Sequence, residues 1–325
     1  MIEVVKPGLE TSVQDWPGRQ GYLKVGIPWS GPMDSWSFRL ANVLVGNAPG
    51  AAGLECQFIG PTLKFQRDAV FALTGADMQA KLDGQPIAAW ESHAARAGQV
   101  LEMAFAKTGA RAYIAFAGGI DSPLFFGARA TFHKGGLGGI EGHAIKVGQV
   151  LPVGNGGTGK PGRRVKASAR PAFVTDKRWQ VEVCAGPNDD WIDEAGQQRF
   201  LTTDWKLSSK SDRGGFRLEG PEWTFTEKAT NKLPEHGSDP ANIVDHGYPL
   251  GAINLAGQTP IILVNDWPDG GGFINPYTVP TCAFWKLGQS KPGEIYAFRQ
   301  VSVADAQLRA REITALCTET SIEPV

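Results

Sequence analysis

Two stretches far apart in the chain combine residue types that could do chemistry. In the last third, the apolar run Pro260 to Val264 delivers Asn265-Asp266-Trp267 to a glycine triplet, Gly270-Gly271-Gly272, with Phe273 and Asn275 just beyond. Phe284-Trp285-Lys286-Leu287-Gly288-Gln289 follows, setting a lysine among aromatic and apolar neighbours. A carboxylate, a cation and glycine amides can surround a small polar ligand. Glycine tolerates positive φ and close backbone approach, so consecutive N–H groups can converge on an oxyanion. The plainer reading of the triplet is a tight turn between two strands.

The front of the chain is as dense. Gly8 to Tyr22 (GLETSVQDWPGRQGY), Val25 to Asp34 (VGIPWSGPMD), Ala41 to Asn47 (ANVLVGN) and Leu54-Glu55 set Gln14, Asp15, Arg19 and Asp34 among glycines and prolines. Polar side chains in such a setting either satisfy irregular backbone or bind a ligand. Two readings stand for Gln14, Asp15 and Arg19: a buried network closing the first half, or a cavity onto which Arg19 and Asp34 face. Asp212 and Arg213, adjacent in a glycine turn, pose the same choice.

Together these stretches resemble the carboxyltransferase family of biotin-dependent urea carboxylase. That family also includes allophanate hydrolase subunit 2 (the KipA type) and the C subunit of the ATP-dependent 5-oxoprolinase. The resemblance covers nearly the whole chain and extends through LTGAD at 73–77, AYIAFAGGI at 112–120, SDRGGFRLEGP at 211–221 and WKLGQSKPG at 285–293. The ending, with Asp266, Gly271-Gly272-Phe273 and Trp285 to Gln289, is similar to the urea carboxylase branch rather than the oxoprolinase branch. The resemblance implies two tandem cyclophilin-like β-barrel domains. It also implies transfer of a carboxyl group from carboxybiotin, delivered by a separate carrier, to a urea or amide nitrogen. A KipI-like companion subunit is implied, with biotin carboxylase and carrier as other chains and ATP used only on partner subunits.

In that chemistry Asp266 would receive substrate N–H groups and assist proton removal, while Lys286 would stabilise negative charge on the carboxyl group or ureido oxygen. Gly271 and Gly272 would offer backbone donors, Phe273 would wall the pocket, and Asn275 and Gln289 would contact substrate. Two other readings stand beside this one. One is the C subunit of a 5-oxoprolinase, in which ATP-driven lactam opening replaces biotin chemistry. The other is a KipA-type regulatory or binding subunit.

Composition is compatible with these readings. The chain has 325 residues, 42% of them hydrophobic, enough for two ordinary cores, and a net charge of −1 that points to neither nucleic acid nor an anionic membrane. No apolar signal core or long apolar span is seen, so a cytoplasmic location is expected. The four cysteines are scattered singly, and the spacing of His133, His143, His236 and His246 matches no metal pattern. Gly154 to Lys160 fits G-x-x-x-x-G-K, but Pro161 stands where a phosphate loop needs a hydroxyl.

The segments 69–73, 100–105, 111–116, 180–183 and 260–264 read as strands, so the chain is mainly β with a few short helices. Helices are expected from Asp34 to about Val45, from Asp189 through Phe200, and from Val303. The expected division is a first half at 1–155, a basic linker at 156–175, a second half at 176–315 and a tail at 316–325. Gly60 to Phe65 and Gly220 to Phe225 echo one another, as related halves would. The glycine-rich loop at 135–139 is expected to be a flexible turn or a partner-facing lip.

Overall fold

A computed structural model describes residues 1–154 and 159–325. It is mainly β, with five α-helices among the described residues, and divides into two compact units. The first comprises Met1–Tyr22, Trp29–Phe173 and Glu312–Val325; the second comprises Leu23–Pro28 and Val174–Arg311.

In the first unit a six-stranded and a seven-stranded sheet share one core, in which Val4, Leu63 and Phe65 meet Leu54, Phe71, Ile114 and Phe116. The long central strands Ala69–Asp77 and Thr108–Phe116 pair antiparallel. Helix Ser35–Leu44 packs Phe38, Leu40, Ala41 and Leu44 against Ala72, Tyr113 and Ala115. Asp34 caps it as expected, accepting from the Ser37 N–H at 3.0 Å.

Of the expected linker, residues 159–173 belong to this unit, as does the expected tail. Arg163–Val165 pairs with Ile322–Pro324 and, through Arg164, with Glu91 of Glu91–Ala95, extending the seven-stranded sheet. Its basic residues look like a solvated connector because their acidic partners lie 159 and 156 residues away: Arg164 Nε donates to Glu323 at 2.8 Å, and Arg163 pairs with Glu319. Of the G-x-x-x-x-G-K stretch, residues 155–158 lie outside the described residues. The glycine loop at 135–139 is tightly packed. A Cβ on Gly138 would sit 2.1 Å from the Ala130 carbonyl, and one on Gly139 would sit 2.0 Å from Thr131 Oγ1.

The second unit is a closed seven-stranded barrel. Its order is Arg178–Ala185, Tyr277–Thr278, Ala252–Ala256, Thr259–Leu263, Gly215–Glu219, Trp205–Leu207 and Ile295–Gln300, with the last strand returning parallel to the first. Strand alternation turns Trp179, Val181 and Val183 inward together with Tyr296 and Phe298. Helix Glu194–Thr202 packs on the barrel with Gly196 and Phe200 buried, and Phe200 reaches the core to stack on Tyr277 and Phe298, each at 4.4 Å between ring centroids. Asp193 caps this helix through the Gly196 N–H, while the expected start at Asp189 forms only the short turn Asp189–Trp191. The helix expected at Val303 runs to Leu316. The echo between 60–65 and 220–225 is not structural. Thr62–Phe65 is a strand, whereas Trp223 packs its ring on Phe200 and Trp205.

Phe200 is fully buried at the centre of this aromatic stack, so Phe200→Ala is expected to cost about 3–5 kcal/mol. Urea denaturation would check it; a loss under about 1 kcal/mol would mean the Phe200 ring does not anchor the aromatic core.

Candidate active site

Asp266 lies just past strand Thr259–Leu263, beside the turn that opens strand Gly215–Glu219. It is 6% exposed and doubly tied to Arg213. Arg213 Nε donates to Asp266 Oδ2 at 3.1 Å, and the Asp266 N–H donates to the Arg213 carbonyl at 2.7 Å. Oδ1 has no protein hydrogen-bond partner among the described residues. A buried carboxylate is costly unless paired, and here only one of its oxygens is paired. The site therefore presents a desolvated acceptor whose charge is partly balanced by Arg213.

The turn holding Arg213 is built by its neighbour. Asp212 Oδ1 accepts from the Gly214 N–H at 2.7 Å and the Gly215 N–H at 3.3 Å. Asp212 thus sets the loop and Arg213 meets the carboxylate.

Gly251 links this end of the barrel to the lysine segment. Its N–H donates to the Leu263 carbonyl at 2.9 Å, and its carbonyl accepts from the Val279 N–H at 2.8 Å. At φ +87, and with a Cβ that would lie 2.1 Å from the Val279 oxygen, only glycine fits. From Val279 the chain turns through Thr281–Ala283 into helix Phe284–Gln289, which carries Lys286. Gly251 thus ties the strand that leads to Asp266 to the strand from which the chain runs on to Lys286.

Lys286 Nζ donates to the Gln180 carbonyl and to Glu182 Oε2, both at 2.7 Å, and lies 5.7 Å from the centre of the Trp285 ring. Glu182 Oε1 accepts from Arg299 Nη2 at 3.2 Å. Burial pushes the Glu182 carboxyl up, but hydrogen bonds and charge from Lys286, with a further bond from Arg299, outweigh it and hold the group below its ordinary value. Sequence reading missed Glu182 and Arg299. The available signal was a glutamate in the apolar strand RWQVEVCA, on the face opposite Val181 and Val183.

The glycine triplet is not the tight turn that its sequence suggests. Gly270–Phe273 is an extended strand paired with Asn242–Gly247, and none of the three glycines has positive φ. Close packing explains them: a Cβ on Gly271 would sit 2.8 Å from the Tyr248 hydroxyl. That hydroxyl accepts the Phe273 N–H at 2.7 Å, and His246 Nε2 lies 2.9 Å from the Phe273 carbonyl. The Phe273 side chain is partly exposed on this hairpin.

Asn275 lies elsewhere. Tyr277 pairs with both Ile253 and Ala185, so Asn275 sits toward the opposite end of the barrel from Asp266. Its N–H donates to Asn188 Oδ1 at 2.8 Å. Gln289 is buried at the end of the lysine helix.

The front cluster forms a network inside the first unit. Gln14 Oε1 accepts the Gly31 N–H at 3.0 Å, and Gln14 Nε2 donates to the Thr131 carbonyl at 3.2 Å. Asp15 accepts the Arg129 and Ala130 N–H groups at 2.6 and 3.1 Å; burial raises its carboxyl above the ordinary value, with those bonds opposing. Arg19 Nε and Nη2 donate to the Phe125 and Ala130 carbonyls at 3.1 and 2.8 Å. Asp34 serves as the helix cap, and its own N–H donates to the Tyr113 hydroxyl at 2.8 Å. These contacts satisfy irregular backbone.

Residues 25–300 match the model of the carboxyltransferase domain, subdomain A and B. The chain belongs to this carboxyltransferase-domain family. It is 37% identical to the urea amidolyase of Lachancea kluyveri over 98% of its own length and 18% of that protein. It is 33% identical to the 5-oxoprolinase C subunit of Escherichia coli over 96% of itself and 94% of that protein. The crystal structure of Kluyveromyces lactis urea carboxylase superposes with a TM-score of 0.91 at 34% identity, covering 99% of this chain and 30% of that one. The chain thus spans a fifth or less of the urea amidolyases it matches. Among the described residues of this carboxyltransferase-domain protein, no helix is long and apolar enough to cross a membrane.

Two measurements bear on the site's electrostatics. Arg213→Met strands the Asp266 carboxylate and is expected to cost about 3–5 kcal/mol, most of it recovered when Asp266→Leu is added; equal losses in the single and double variants would show no coupling. Glu182, held low in the folded state, stabilises the fold above its ordinary value of 4.5, and this contribution disappears as pH falls through the lowered folded value. The melting temperatures of the native protein and Glu182→Gln should therefore differ near neutrality and converge in acid. A constant difference across that range would contradict the ion pair.

Proposed function

We propose that this chain is the carboxyltransferase component of a urea carboxylase-like complex, acting on a urea or amide nitrogen together with a KipI-like companion subunit. The observation that carries this reading is the buried Asp266 carboxylate, with Oδ2 on Arg213 and Oδ1 bearing no protein partner among the described residues. An amide nitrogen is a poor nucleophile. It needs an acceptor for its N–H, and the carboxyl group it meets needs a cation.

Asp266 Oδ1 accepts the substrate N–H, orients the nitrogen and takes its proton as the new bond forms. Arg213 fixes the carboxylate through Oδ2. Lys286, steered by Glu182 and Gln180, places its ammonium against the carboxyl oxygens or the ureido oxygen. The residues fit biotin chemistry in kind, since an orphaned acceptor and a half-buried cation suit a neutral amide and an anionic carboxyl group. Carboxybiotin, when bound, supplies an activated carboxyl group. Phe273 adjoins Ile274, whose carbonyl accepts the Leu255 N–H toward the far end of the barrel, so it is not assigned to the wall of this site. ATP would act only on partner subunits.

A second reading has its own support. The chain and the 5-oxoprolinase C subunit match over nearly their full lengths, which favours a lactam-opening complex in which the same acceptor receives a lactam N–H.

The test is coupled turnover in the complex purified with its companions. Urea-dependent ATP consumption should be blocked by avidin, and Asp266→Asn and Lys286→Met should each lower kcat at least about a hundredfold with partner binding retained. Turnover of 5-oxoproline unaffected by avidin would support the second reading. Full activity in Asp266→Asn would overturn the assigned role, and partner binding with no turnover of either substrate would indicate a KipA-type regulatory subunit.

A further inference from the structure

The parallel pairing of Arg178–Ala185 with Ile295–Gln300 sets Glu182 directly opposite Arg299. Both lie on the outward face, since Val181, Val183 and Phe298 point into the barrel. Helix Phe284–Gln289 brings Lys286 onto that face, where Glu182 gives one oxygen to each cation: Oε2 to Lys286 at 2.7 Å and Oε1 to Arg299 at 3.2 Å. Two cations share one carboxylate, so the group keeps a net positive charge. A purely structural pair would cancel. Here the Glu182 and Lys286 side chains are only 16% and 17% exposed, so that charge is poorly screened, and Arg299 at 55% leaves the cluster open to solvent. The Gln180 carbonyl takes one further ammonium proton, which fixes the direction of the others.

We propose that Glu182 is a positioning residue that holds Lys286 and Arg299 as a two-cation cradle for a small carboxylate, the class of ligand whose transfer was proposed above. The inference rests on that reading of Lys286 but can be tested without turnover. Arg299 is the second cation of the cradle and contacts the ligand's carboxylate directly. Removing Glu182 raises the local charge by one unit. By charge alone, anions should then bind more tightly; if Glu182 positions the cations, they should bind more weakly.

Binding of 13C-bicarbonate and of acetate to the native chain, Glu182→Ala, Glu182→Asp and Arg299→Met would be followed by NMR, with melting curves recorded for each variant. Glu182→Ala is expected to weaken both anions about tenfold despite its added positive charge, the scale of losing a charge-assisted hydrogen bond. Glu182→Asp should restore part of the loss, and Arg299→Met should weaken binding severalfold. Tighter or unchanged binding in a folded Glu182→Ala would overturn the proposal, as would native protein that binds neither anion at tens of millimolar. If Glu182→Ala does not fold, Arg299→Met on the exposed side decides, with unchanged affinity overturning the cradle. A positive binding result with no turnover in the complex would leave the cradle standing and reject the carboxyl-transfer reading instead.

Discussion

A carboxylate removed from water must be compensated, and in the second unit that requirement fixes an entire barrel end. Asp266 meets Arg213 through both side chain and backbone, so the segment after one strand is locked to the turn before another. Asp212 shapes that turn, and Gly251 couples the same level of the barrel to the approach of the lysine helix. Loss of the ion pair would therefore disturb several loops at once. The oxygen without a protein partner is held in place by the firm pairing of the other.

The barrel separates stability from chemistry by strand alternation. Inward positions are aromatic and branched, filled from within by Phe200 and closed by Trp205 and Trp223. Outward positions on the same strands carry Gln180, Glu182 and Arg299, where polar groups meet a covering helix. Each strand thus supports the core with one set of residues and the site with the other. Substitutions on the outward face can alter charge without opening a cavity.

Much of this was legible in the sequence, for identifiable reasons. Asp34 ahead of an apolar-periodic run announced a capped helix, and the alternation in Arg178–Ala185 announced a strand. Asp266, Lys286 and Arg213 stood out by residue type. What was hidden depended on distant partners. Arg163 and Arg164 look solvated until the acidic residues near the end of the chain pair with them. The glycine triplet looked like a turn because sequence does not show Tyr248 packed against it. Asn275 follows the triplet closely, yet only strand register reveals that it lies toward the far end of the barrel. Glu182 was overlooked because its partners come from segments more than a hundred residues later.

Strand Ile322–Pro324 completes the edge of a sheet whose other strands all precede residue 166, with the whole barrel intervening in the chain. The barrel is in this sense an insertion in the first unit rather than a bead strung after it. During synthesis the first sheet must wait, its edge at Arg163–Val165 uncovered, until the barrel and the helix Val303–Leu316 have been made. The second unit can close early while the first finishes late. The most vulnerable moment in this protein's life thus falls on the unit that begins first.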